Sequence, residues 1–296
     1  MSVPQRIAIT GASGLIGTAL VGHLKSEGHT VQRLVRRAPV AADEVQWDPQ
    51  TGFVNLEPLR GVDAIIHLAG VGVGDKRWNK KYKSEILNSR LLGTTAIANA
   101  VAELKPQVFI SASAIGWYGE SGNRAVVETD RAGDDFLAAV CREWEAAADL
   151  AGEVRTVKIR TGLVLDPTGG ALGKMLPLFR LGLGGKMGNG KQWWSWITLH
   201  DQIRAIVFAL ENLISGPVNV TAPNPVTNQE FTSALARAMH RPALFPAPAL
   251  ALKIALGGFS SEILGSKRVI PHVLQEAGFT WDYPHISEAL AQLVED

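Results

Sequence analysis

Short apolar runs alternate with longer stretches of helical period through the first half of the chain. Ile7–Ile9 reads as a buried strand, and Leu15–Ser26 as the helix that follows it. His29–Arg37 is a second strand, with a further short strand at Val45–Trp47 and a turn at Asp48–Gly52. Asp63–Gly70 is a strand ending in small residues, and the apolar run Ala64–Leu68 suits burial on both faces of a parallel sheet. Ile86, Leu91, Leu92, Ile97 and Val101 roughly follow the helical period and predict a long helix over Ser84–Glu103. Lys105–Ile110 introduces another strand. A helix over Phe136–Ala147 has Asp134 as its candidate cap, and Thr156–Leu165 is the next strand. This strand–helix alternation predicts an α/β protein with a doubly wound parallel sheet.

From Asp166 the pattern changes. The glycine-rich stretches Pro167–Gly173 and Gly182–Gly190 predict loops around a pocket. A helix over Asp201–Leu213 and a strand over Gly216–Thr221 return to the earlier rhythm. Helices at Asn228–Met239, Ala249–Leu256 and Ser287–Val294 then predict a small mixed C-terminal region. The expected organisation is a nucleotide-binding domain over 1–165, completed by about 197–222. A smaller substrate-side domain would be built from 166–196 and 223–296.

Composition narrows the class without choosing a function. Of 296 residues, 46% are apolar and 19% charged, as in a globular protein with a real core. The net charge of +1, from 29 basic and 28 acidic residues, leaves no global field for nucleic acid or a membrane surface. One cysteine, Cys141, excludes an internal disulfide and suits a reducing compartment. The N-terminus lacks a signal-peptide layout, and the apolar stretch near Ala247–Leu256 is too short and broken to span a bilayer. A cytoplasmic location is expected.

The chemistry gathers where strands end. Gly11, Gly14 and Gly17, spaced three apart between a strand and a helix, give the context in which glycines mean dinucleotide binding. The free amides and positive dipole end of the helix would then face the pyrophosphate. At the end of the second strand, where NAD-preferring sites usually carry an acid, stand Arg36 and Arg37, with Arg33 before them. Guanidinium groups there pair with a 2′-phosphate, so the preference leans to NADP(H). Ala69 and Gly70 would let the cofactor pass close above the strand end, and Glu85 and Arg90 lie within reach of the nucleotide. His67 reads as a hydrogen-bonded core histidine, and no cluster has zinc spacing, so no metal is expected. The basic stretch Asp75–Lys83 is a solvated face on this reading. Ser111 and Ser113 end a strand, which suits chemistry. Trp193, Trp194 and Trp196 lack the basic groove that single-stranded nucleic acid needs.

Together, Thr10–Gly17, Asp63–Gly70, Ser111–Gly119, Arg160–Val164 and Trp196–Asp201 resemble the extended short-chain dehydrogenases/reductases of the epimerase/dehydratase branch. Pro246–Pro248, Ser266–Pro271 and Glu276–Phe279 resemble its atypical "epimerase family" subgroup more closely. The resemblance implies a Rossmann domain holding NADP(H), under a smaller domain that closes over a substrate. It implies cofactor contacts from Gly11, Ser13, Gly14, Leu15, Ile16, Val35, Arg36, Arg37, Leu68, Ala69 and Gly70. Glu85, Arg90, Ser111, Ser113 and Val164 would be further contacts. In active members a Ser/Thr, a Tyr and a Lys four residues beyond it on a helix carry the chemistry. Ser113 matches the hydroxyl, but Leu137 and Cys141 stand where the Tyr and Lys belong. Two functions follow as expectations. One is an NADP(H)-dependent oxidoreductase or epimerase-like enzyme acting on a small, nucleotide-sugar-like substrate. Its acid/base would be non-standard: Tyr118, Cys141 or a bound water. The other is a catalytically silent NADP(H) sensor or scaffold. A homodimer or a protein partner fits either.

Overall fold

The computed structural model describes residues 3–295. The chain enters through β1 (Arg6–Thr10), α1 (Leu15–Ser26), β2 (Thr30–Val35), β3 (Glu44–Asp48), β4 (Phe53–Val54) and β5 (Ala64–His67). It continues through α2 (Lys80–Leu104), β6 (Val108–Ala114), β7 (Ala125–Val126), α3 (Phe136–Ala148), β8 (Arg155–Thr161) and β9 (Leu163–Asp166). Then come α4 (Gly170–Arg180), β10 (Trp193–Trp194), β11 (Trp196–Thr198), α5 (Leu199–Glu211), β12 (Gly216–Val220) and β13 (Val226–Thr227). It closes with α6 (Asn228–Ala238), α7 (Ala249–Leu256), α8 (Ser260–Leu264), β14 (Arg268–Val269), α9 (His272–Glu276) and α10 (Ile286–Glu295).

Eight strands form the main sheet in the order β12-β8-β6-β5-β1-β2-β3-β4. Every pair in it is parallel except the edge hairpin β3–β4. Alternation along β1 divides the core. Ile7 and Ile9 pack with α1 and α5 through Leu20, Leu24, Ile203 and Ile206. Ala8 faces the other way, toward Ile97 and Val101 of α2. A third core joins α4, α6 and α10 through Leu172, Leu176, Phe179, Phe231, Leu235 and Leu290.

Several elements depart from the sequence reading, each for a local reason. The long helix starts at Lys80, because the Asn79 side chain caps it by accepting from the Tyr82 amide at 2.8 Å; Lys80, Lys81 and Lys83 are thus its first turn. The cap of α3 is Asp135, which accepts from the Ala138 amide at 2.8 Å, and not Asp134. The strand expected over Thr156–Leu165 breaks at Gly162. A Cβ there would lie 2.7 Å from the Ser195 carbonyl oxygen, where β9 leaves the sheet to pair with β11. The expected loop at Pro167–Gly173 already turns into α4, whose Leu172, Met175, Leu176 and Phe179 are buried.

Candidate functional site at the carboxyl ends of the central strands

The sheet order reverses at β1, which lies between β5 and β2, and the crevice outside their carboxyl ends is where an α/β sheet of this kind takes a ligand. Gly11 makes the crevice possible. Its φ is +70°, and a Cβ there would meet Leu68 and Ala69 backbone atoms at 2.8 Å. Gly17 seats α1 on the turn, since its Cβ would come within 2.1 Å of the Gly11 carbonyl oxygen. Gly14 differs: its φ of −80° is ordinary extended backbone. Its glycine is not a conformational need: a Cβ there would meet the Gly11 carbonyl oxygen at 3.4 Å, an ordinary contact, at an exposed position next to Ser13.

The start of α1 is open. Gly14 offers no side-chain cap, the first turn carries no acidic residue, and the Leu15 and Ile16 amides have no acceptor among the described residues. Such a helix end has unsatisfied donors and a positive dipole terminus, the arrangement that suits a phosphate. The rim of β5 is ordered from below. The Thr10 hydroxyl accepts from the Leu68 and Ala69 amides at 3.1 and 3.3 Å and bonds His67 Nδ1 at 2.7 Å. His67 is fully buried and its pKa is lowered by desolvation to about 3, so it stays neutral and braces the rim.

The two arginines expected at the β2 end part company. Arg37 already has a partner: it grips Glu44 in a bidentate pair at 2.6 and 2.7 Å, with its side chain still more than half exposed. Arg33 is held by Asp43 at 2.7 and 3.0 Å. Arg36, beside half-buried Val35, is exposed and forms no hydrogen bond or ion pair among the described residues. Val164 comes in from outside the main sheet, where the turn into α4 brings Gly169 against the Leu15 side chain. Glu85 sits on the outer part of α2 with Lys76 at 3.5 Å, whereas Arg90 reaches inward to the Val71 carbonyl at 2.9 Å.

The expected catalytic hydroxyls occupy a different environment. Arg160 of β8 and Glu145 of α3 form a buried bidentate pair, Nε to Oε1 at 2.8 Å and Nη2 to Oε2 at 2.9 Å. Ser113 donates to the same Glu145 Oε1 at 2.7 Å. Tyr118 donates to Asn219 Oδ1 at 2.7 Å and accepts from Arg160 Nη1 at 3.0 Å. Trp117 covers the guanidinium, its ring centroid 3.9 Å from the guanidinium carbon. Asn219 extends the network to the Ile270 carbonyl, and Glu128 Oε1 accepts from the Asn219 and Val273 amides. A buried charge pair is tolerable when further hydrogen bonds satisfy its remaining atoms, and that is what these groups do.

Tyr118, a candidate acid/base in the sequence, is therefore a core residue whose burial pushes its pKa up to about 12. Ser111 is buried too, its hydroxyl making only a weak 3.4 Å contact with the Ala112 carbonyl. Cys141 packs its thiol on the Ala114 carbonyl at 3.6 Å, and burial pushes it up to about 12, assisted by the Glu145 charge. Tyr82, also buried, donates to the Gly72 carbonyl at 2.5 Å. The sequence reading missed the Arg160–Glu145 pair. β8 carries three charged residues, Arg155, Lys158 and Arg160, and only Arg160 is buried, so no signal in the sequence singled it out. Among the described residues, His200, Asp201 and Asp282 are close enough to share an ion, but Arg204 already bonds Asp201 at 2.8 Å and lies 3.2 Å from Asp282.

Comparison with known proteins adds an independent line. Residues 7–221 match the family model described as the NAD dependent epimerase/dehydratase family, and 247–293 match a domain of unknown function, DUF1731. The Mycobacterium leprae epimerase family protein ML0860 is 44% identical over 290 residues, covering 96% of this chain and 94% of the relative. The crystal structure of human epimerase family protein SDR39U1 (isoform 2), solved with NADPH, is 33% identical with a TM-score of 0.91, covering 98% of this chain and 99% of that one. A nucleoside-diphosphate sugar epimerase from Corynebacterium glutamicum is 36% identical with a TM-score of 0.78, covering 99% of this chain and 58% of the other.

Proposed function

The chain belongs to the NAD dependent epimerase/dehydratase family, and from that premise we propose that it binds NADP(H) and transfers hydride without a tyrosine–lysine proton relay. The open amides of Leu15 and Ile16, with Ser13 and Gly14 beside them, would hold the pyrophosphate, and Arg36 would hold the 2′-phosphate. Leu68, Ala69 and Gly70 would form the floor beneath the cofactor, and Val35 and Val164 would flank it. When bound, the nicotinamide supplies the hydride chemistry, and the protein supplies orientation and exclusion of water. The substrate is small. A cavity of about 470 Å3, lined by Arg77, Trp78, Asn79, Gly257 and Gly258, lies where the segment after β5 meets the end of α7 and offers it an entry.

One observation carries the reading. The phosphate end keeps its donors open, while Ser113 and Tyr118 are bonded inside a buried ion-pair network and Leu137 and Cys141, where the resemblance puts the relay, are buried. A leucine transfers no proton, and a buried thiol pushed up to about 12 does not ionise near neutral pH. Protons therefore come from water or from the substrate itself. The same closure favours a second reading, a silent NADP(H)-dependent sensor that signals to a protein partner. The experiment follows NADPH oxidation against a panel of carbonyl compounds, with UDP-glucose and UDP-galactose epimerisation assayed alongside. Oxidation of NADPH without sugar epimerisation is expected. Robust epimerisation would overturn the proposal, and tight NADPH binding with no oxidation would favour the sensor.

A further inference from the structure

We propose that the face built by the end of α4 and by α7 docks on a bilayer surface carrying anionic lipid headgroups. α7 has two apolar sides, and the protein covers only one of them. Leu252 and Leu256, four residues apart, are half-buried, whereas Leu250 and Ile254 on the outer side are 69% and 67% exposed. A helix that is apolar all round is ordinarily buried, yet no residue of α7 is. The chain beside it repeats the pattern. Leu178, Leu181 and Leu183 are exposed at and after the end of α4, and Leu244 and Phe245 in the segment leading to α7. Backbone bonds hold the two stretches together. The Phe245 amide donates to the Gly184 carbonyl at 3.3 Å, that of Ala247 to Lys186 at 2.9 Å, and that of Gly188 to Ala247 at 2.9 Å. Most of the large apolar side chains exposed among the described residues therefore stand on one joined surface.

Charge decides what covers it. Residues 167–191 and 239–256 contain no aspartate or glutamate, but they hold Lys174, Arg180, Lys186, Lys191, Arg241 and Lys253. None of these cations forms an ion pair among the described residues. The near balance of 29 basic and 28 acidic residues thus hides a separation, with the acidic excess elsewhere in the chain. Apolar side chains set among unpaired cations match a surface whose interior is hydrocarbon and whose headgroups are negative. A second copy of the chain fits worse, because a two-fold contact would bring the same cations face to face. A peptide in a groove also fits worse, because the leucines protrude: Leu181 and Leu244 are each 72% exposed. Lys253, beside Ile254, can lay its stem along the apolar side and keep its ammonium among the headgroups. α7 lies on the bilayer and does not cross it, since no helix among the described residues is long and apolar enough to span one. Gly257, at its end, lines the cavity shared with Arg77 and Trp78, so docking brings that opening toward the bilayer.

The test mixes the full chain with vesicles and reads the bound fraction by co-sedimentation. Two compositions are compared: phosphatidylcholine alone, and phosphatidylcholine with about a third phosphatidylserine. The native protein is expected to bind the anionic vesicles at least about tenfold more tightly than the neutral ones. Raising the salt from about 0.1 M to about 0.5 M should weaken that binding about tenfold. The double variant Leu250→Asn/Ile254→Asn should lose about tenfold on the anionic vesicles, and Arg180→Gln/Lys253→Gln about tenfold to thirtyfold. Leu213→Asn, which alters an exposed leucine outside this face, should bind as the native protein does. Should Leu250→Asn/Ile254→Asn fail to fold, Arg180→Gln/Lys253→Gln decides with the same vesicles. Equal binding to the two compositions, or binding to neither, overturns the proposal. Binding that neither double variant weakens does the same, as does an equal loss with Leu213→Asn. A dimer that Leu250→Asn/Ile254→Asn disperses, read by analytical ultracentrifugation, assigns the face to a second copy and also overturns it.

Discussion

The turn after β1 and the network around Arg160 are both made of polar groups at the ends of the same sheet, yet they are arranged in opposite ways. At the turn, the Leu15 and Ile16 amides, the Ser13 side chain and the Arg36 guanidinium are left without protein partners among the described residues. Around Arg160, the charged pair, Ser113 and Tyr118 satisfy one another inside the core. Open donors cost little at a surface that water or a ligand can reach, whereas buried polar groups must be paired. The first region is built to receive something; the second is built to stay closed. A binding function with an altered proton path fits that contrast better than the full epimerase machinery does.

Breaking the closed region should give the largest effect. Glu145→Ala leaves Arg160 buried and uncompensated, for which a loss of about 3–5 kcal/mol of stability is expected, read from urea unfolding. The NADPH affinity of the protein that remains folded should change by less than about twofold if the two regions are independent. A large loss of affinity at intact stability would join what we have kept apart. Gly14→Val tests the open region in reverse. Its backbone accepts a branched residue without strain, but side-chain atoms would enter the space left for phosphate. NADPH affinity should fall by about a hundredfold or more, near 3 kcal/mol, with an unchanged circular-dichroism melt. Normal titration would remove the phosphate assignment.

The open region was legible in the sequence because it depends on local spacing. Gly11, Gly14 and Gly17 lie within one turn, and the helix Leu15–Ser26 emerged with the limits expected. The closed region was not, because its pairs cross long separations: Tyr118 to Asn219 spans 101 residues and Ser113 to Glu145 spans 32. A sequence shows that Ser113 ends a strand and that Tyr118 follows soon after, but not that Glu145 and Asn219 are waiting for them. The same limit applies to Arg37, whose acceptor Glu44 lies seven residues on but is delivered only by the β2–β3 connection. α4 is the opposite case. Its buried stripe of Leu172, Met175, Leu176 and Phe179 was present in the sequence and was masked by glycines and by Pro177.

Charge reversal at the open end should come next in size. Arg36→Glu removes the cation of the β2 end that has no protein partner among the described residues, and NADPH affinity should drop by about 1–3 kcal/mol while NADH affinity holds or rises. Equal affinity of the native protein for the two cofactors, measured by calorimetry, would sink this. Ser113→Ala should act on stability rather than on the cofactor. Losing one hydrogen bond to a buried carboxylate is expected to cost about 1.5–2 kcal/mol of unfolding free energy and to leave NADPH affinity unaltered. A selective fall in turnover, at unchanged stability, would restore Ser113 to the chemistry.

The smallest effect concerns the ion pair that shapes the loop carrying Arg36. The Arg37 side chain, aided by the Val40 amide, lowers the Glu44 pKa from 4.5 to about 2. A carboxyl held lower in the folded than in the unfolded chain contributes stability that is fully present above the unfolded value. That contribution fades as pH falls from about 4.5 toward the folded value near 2, where both states take up the proton. The melting temperature of the native protein should therefore decline through this window with a component that Glu44→Gln lacks. The two curves should converge at the acid end and lie furthest apart above pH 5, within the range set by that carboxyl. Neutralising Glu44 also releases Arg37 beside Arg36, so NADPH affinity at neutral pH should change by less than about threefold, in either direction. Parallel melting curves from pH 7 to pH 3 would show that Arg37 and Glu44 do not hold the loop, and Arg37 would then have to be counted with Arg36 as an open cation.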